Sequence, residues 1–73
     1  MNTEKRKELQ EDLLYELKMY EVEAEAAVAM ATFMEPYEQI LLMAYMITHP
    51  DATAQEIVNE SGRIIEQRKN TEK

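Results

Sequence analysis

Three groups of residues have types and spacings that could support chemistry. The first is His49, the one imidazole in a chain of 73 residues. A single histidine excludes any site that needs two, and the chain has no cysteine for it to activate. No serine sits in a nucleophile motif. His49 stands just before Pro50, where a helix is expected to stop, and a histidine there serves as a C-terminal cap that interacts well with the helix dipole. The second group is Glu21, Glu23 and Glu25, which on paper could be a metal cluster. Residues two apart on a helix point in nearly opposite directions, so Glu23 cannot join Glu21 and Glu25 at one ion. Neither Glu-x-x-His nor His-Glu-x-x-His occurs, so the helical metal motifs are missing. The third group is Glu8, Asp12 and Glu16, spaced four apart on one helix face. Like charges there cost a few tenths of a kcal/mol per pair. The strip reads as a solvated face or as an acidic docking surface for a basic partner. Its charges stand ~6 Å apart along the axis, sparser than the phosphates of a DNA strand.

With no nucleophile–base pair, no Gly-rich phosphate loop and no ligand set, the chain is not expected to be an enzyme, and no cofactor or metal is implied. Its charge is −7 and unevenly spread. Residues 1–7 carry +2, through Lys5, Arg6, Lys7 and Glu4. Residues 8–60 carry twelve acids and only Lys18, a balance of −11, and residues 61–73 return to +2. An acidic body disfavours a nucleic-acid backbone and favours attraction to basic proteins. Lys5–Lys7 and the segment Leu9–Leu17 do not make a secretory leader, because Gln10, Glu11, Asp12 and Glu16 interrupt the apolar run. The longest apolar run, Ile40–Ile47, is far below the ~20 residues of a membrane span. The expectation is a cytoplasmic protein with no membrane contact.

The elements that must position these residues are all helices. Residues 3 to about 33 contain no Gly or Pro and are rich in Glu, Leu, Ala, Lys and Met. Apolar positions fall on Leu13, Leu17, Tyr20, Ala24, Ala27, Ala31 and Met34, at alternating steps of four and three. Leu9, Leu14, Val28 and Met30 broaden that face. The pattern predicts one long helix over about 3–33. Met34–Glu35–Pro36 makes a turn, and a second helix spans about 36–48. Thr32-x-x-Glu35, read as a capping box, would start that helix a few residues earlier. Thr53-x-x-Glu56 is another capping box and opens a third helix over about 54–69, with Ile57, Val58, Ser61, Ile64 and Ile65 on one face. Gly62 is its weak point, where the helix either continues at a cost of ~1 kcal/mol or breaks. The fold class is all-α in a single domain, with frayed ends at 1–3 and 69–73.

The Ala-rich half of the first helix (Ala24–Ala31) offers small side chains, and Ile40–Ile47 offers large ones. Small against large predicts an antiparallel hairpin between them. The second helix is apolar nearly all round, so two companion helices leave one side uncovered. A straight helix over 3–33 is also ~46 Å long, against a diameter of roughly 30 Å for a 73-residue globule. Both points favour a dimeric helical bundle, a homodimer built on Leu9, Leu13, Leu17, Tyr20, Ile40, Leu42, Met43 and Met46. The six methionines and four tyrosines suit core packing, with at least one tyrosine at an interface.

The stretch EPYEQILLMAYMITHPDATAQEIVNESG resembles the start of region-4-like and related bacterial helix-turn-helix modules, with Glu56–Ile57 and Gly62 in matching places. The resemblance implies a DNA-binding regulator using residues 37–69, with Arg63, Arg68 and Lys69 as the basic contacts. It departs from the pattern after Gly62, where RIIEQRKNTEK is too short for a good recognition helix, and at Val58, where a small residue usually lets the helices cross. The leading functional expectation is a small acidic, homodimeric interaction protein. Its partner is a protein with a basic or apolar surface, engaged through Glu8, Asp12 and Glu16. Short, acidic, Cys-free helical chains of this kind suit bacterial or phage-type regulators and inhibitors.

Overall fold

The first turn sits where the residue types give least warning of one. In the computed structural model, which describes residues 3–71, the first helix ends at Met19 and a second begins at Ala24. Among the described residues there are four α-helices and no strand: α1 (Thr3–Met19), α2 (Ala24–Phe33), α3 (Pro36–Thr48) and α4 (Ala54–Thr71). The all-helical class is as expected. The single helix over 3–33 is corrected to two helices joined by a tight turn.

That turn is built from a Schellman motif. The Val22 N–H donates to the Leu17 carbonyl at 3.0 Å and the Glu21 N–H to the Lys18 carbonyl at 3.0 Å, so two of the last carbonyls of α1 are satisfied. Glu21 occupies the left-handed position, with φ 63°. Val22 and Leu17 are both buried, which supplies the apolar contact that closes such a motif. The Tyr20 hydroxyl donates to the Met46 carbonyl at 2.8 Å and anchors the turn to the end of α3.

The turn folds α2 back onto α1, and α1 packs against both α2 and α3, while α4 packs against α3. The N-terminal helix therefore does pair with α3, but through its Leu-rich half. The Ala-rich half packs instead against α1, so small residues meet large ones as expected, with a different partner. Leu13 and Leu17 from α1, Ala27, Met30 and Ala31 from α2, Leu42 and Met46 from α3, and Ile57 and Ile64 from α4 form the core, with Val22 and Met34 from the two turns. The extents are 32 × 29 × 23 Å with a radius of gyration of 11.7 Å. A projecting 46 Å rod is thus avoided within one chain, and that reason for a second copy disappears.

The other boundaries follow the sequence. Pro36 takes the first turn of α3. At α4 the Thr53 N–H donates to Glu56 Oε1 at 2.9 Å and the Glu56 N–H donates to Thr53 Oγ1 at 3.2 Å, which is the capping box. α4 continues through Gly62 and reaches Thr71. Residues 1, 2, 72 and 73 and the side chain of Lys69 lie outside the described residues, so the calls made on them are not addressed.

Candidate functional site

The most polar place in the interior is the C-terminal end of α2, where all three other helices converge. Helix ends leave their last carbonyls without partners. Here Gln10 Nε2 from α1 donates to the Ala31 carbonyl at 2.8 Å. Gln39 Nε2 from α3 donates to the same carbonyl at 2.8 Å and to the Met34 carbonyl at 3.1 Å. Arg68 Nη2 from α4 donates to the Phe33 carbonyl at 3.0 Å. A cation at that end also complements the helix dipole.

Arg68 is held by a second interaction. Its Nε donates to Glu38 Oε2 at 2.8 Å and its Nη2 to Glu38 Oε1. The Glu35 N–H donates to Glu38 Oε1 at 2.8 Å. Glu38 is only 4% exposed. The Arg68 guanidinium holds its carboxyl below the usual carboxylate range, against the upward pull of burial, and the Glu35 N–H adds to the lowering. This junction ties the helices together. Gln39 Oε1, buried beside it, has no hydrogen-bond partner among the described residues.

The sequence candidates for chemistry are dispersed. His49 caps α3 through its backbone N–H to the Met46 carbonyl. Its ring stacks on Tyr45 with centroids 4.2 Å apart, and its Nδ1 lies 2.9 Å from the Tyr45 carbonyl. The same Nδ1 lies 3.0 Å from Thr48 Oγ1. Glu21 lies in the turn and Glu23 caps α2, so these acids are not on one continuous helix. Among the described residues no three histidine or acidic side chains converge on a point that could hold a metal ion. Glu8 and Asp12 are exposed and Glu16 is half-buried. Arg6 lies 3.8 Å from Glu35 in a solvent-exposed ion pair.

Of the three basic residues named for nucleic acid, Arg63 and Arg68 have partners within the chain, and the side chain of Lys69 lies outside those described. Arg68 is engaged with Glu38 and Phe33 as above. Arg63 donates to Glu60 through Nε at 3.0 Å and through Nη2, which lowers the Glu60 carboxyl below its usual range and raises the Arg63 guanidinium. α4 passes Gly62 without a turn, so no separate helix follows it.

Of the residues expected at a self-association surface, Leu13, Leu17, Leu42 and Met46 are consumed by the chain's own core. Leu9, Tyr20 and Met43 are half-buried, and Ile40 is half-exposed. The apolar surface that α3 leaves open includes Ile40, and its other members were not among those expected. Tyr37 is 71% exposed, Ile40 50% and Ile47 76%, and Ala44 between them is exposed too. Positions 37, 40, 44 and 47 follow the three-four-three spacing of one helix face. The buried residues Glu38, Gln39, Leu42 and Met46 occupy the opposite face. The spacing was present in the sequence, but the uniform greasiness of Ile40–Ile47 hid which side the fold would leave free. A second apolar patch, a shallow groove on α2, is lined by Ala24, Glu25, Val28, Ala29, Thr32 and Phe33.

Among the described residues no helix is long and apolar enough to cross a membrane. Comparison with protein-family models, with curated proteins and with solved structures gives no significant match.

Proposed function

We propose that this chain is a small, self-associating helical interaction module that acts in the cytoplasm as a regulator or inhibitor of another protein. One observation carries the reading. The outer face of α3, Tyr37–Ile40–Ala44–Ile47, is apolar and exposed, and the fold does not use it. Large apolar side chains grouped on one face of a small protein mark a surface that binds protein. The acidic strip at Glu8, Asp12 and Glu16 on α1 supports a partner with basic character, because clustered charge attracts an oppositely charged surface and speeds encounter.

The reading is tested by affinity capture from the native host with three baits: wild type, Ile47→Glu, and a charge-reversed Glu8→Lys/Asp12→Lys chain. Both positions reversed in the latter are exposed, so both variants should keep the wild-type helix content and melting point. A partner captured by wild type should be lost with Ile47→Glu and weakened with the charge reversal. Retention of every wild-type partner by both variants overturns the proposal.

A further inference from the structure

We draw no further inference here: the strongest candidate, the shallow apolar groove along α2 lined by Ala24, Val28, Ala29 and Phe33, is an unpartnered apolar surface, and nothing in the structure shows what covers it.

Discussion

Arg68 and Glu38 lie thirty positions apart in the chain and are joined side by side, Nε to Oε2 at 2.8 Å and Nη2 to Oε1. The same guanidinium reaches the Phe33 carbonyl at the end of α2. One side chain thus connects α4 to both α2 and α3. Beside this polar tie, α4 meets the core through its apolar face, with Ile57 and Ile64 buried.

Arg68→Met should therefore destabilise the fold by about 2 kcal/mol at pH 7, because it leaves Glu38 buried with its charge uncompensated. The pH dependence has a definite sign. The folded-state pKa of Glu38 is lowered, so the stabilisation is fully present above the unfolded value of about 4.3 and is lost as pH falls through the folded value. Urea titrations of both proteins should show the difference between them shrinking as pH drops below about 4. A difference that is constant from pH 7 to pH 3 would show that Glu38 and Arg68 do not stabilise as an ion pair.

Glu21 is the residue that pays most for the turn between α1 and α2, since its φ of 63° is costly for a side chain with a Cβ. Glu21→Gly should stabilise the protein by about 1 kcal/mol, seen as a higher urea midpoint with an unchanged slope. Glu21→Val should do the opposite. If Glu21→Gly lowers the midpoint, the left-handed cap is not the conformation in solution.

The same residue explains what could and could not be read from the sequence. Pro36 and the Thr53/Glu56 box announce their turns by residue type, and both helices start where they should. Glu21 announces nothing. The usual signal for such a cap is glycine, and here a good helix former stands in its place, supported by tertiary contacts such as the burial of Val22 and the Tyr20–Met46 hydrogen bond. The seven-residue apolar pattern from Leu13 to Met34 continued across the break because both halves face one core. For the same reason the candidate interface was read on residues such as Leu42 and Met46, which the fold buries, while Tyr37, Ala44 and Ile47 on the outer face were not singled out. Which face of an all-apolar helix is left free depends on where its neighbours pack, and that arrangement changed once α2 turned back onto α1.

Gly62 offers a direct test of α4. A Cβ built there meets nothing within 4 Å, and the helix runs past it on both sides. Gly62→Ala should raise stability by about 1 kcal/mol through helix propensity alone, with a matching gain in thermal midpoint. A destabilising result would mean that Gly62 serves as a break in the helix, which would restore a turn at the place the helix-turn-helix pattern requires.

Core and interface on α3 separate by paired substitutions on opposite faces. Leu42 is fully buried, and Leu42→Ala should cost about 2–5 kcal/mol, the lost transfer energy plus the cavity it leaves. Ile47 is 76% exposed, and Ile47→Ser should change the stability of the single chain by no more than about 0.5 kcal/mol. The two should diverge further with concentration. Stability of a self-associating chain rises with concentration by mass action, and Ile47→Ser should abolish that rise while a partially destabilised Leu42→Val retains it. Thermal denaturation at two protein concentrations a hundredfold apart reads this out. A midpoint that moves with concentration in wild type and Leu42→Val, but not in Ile47→Ser, assigns the outer face of α3 to association and the inner face to folding. Equal concentration dependence in all three would place the association surface somewhere other than α3.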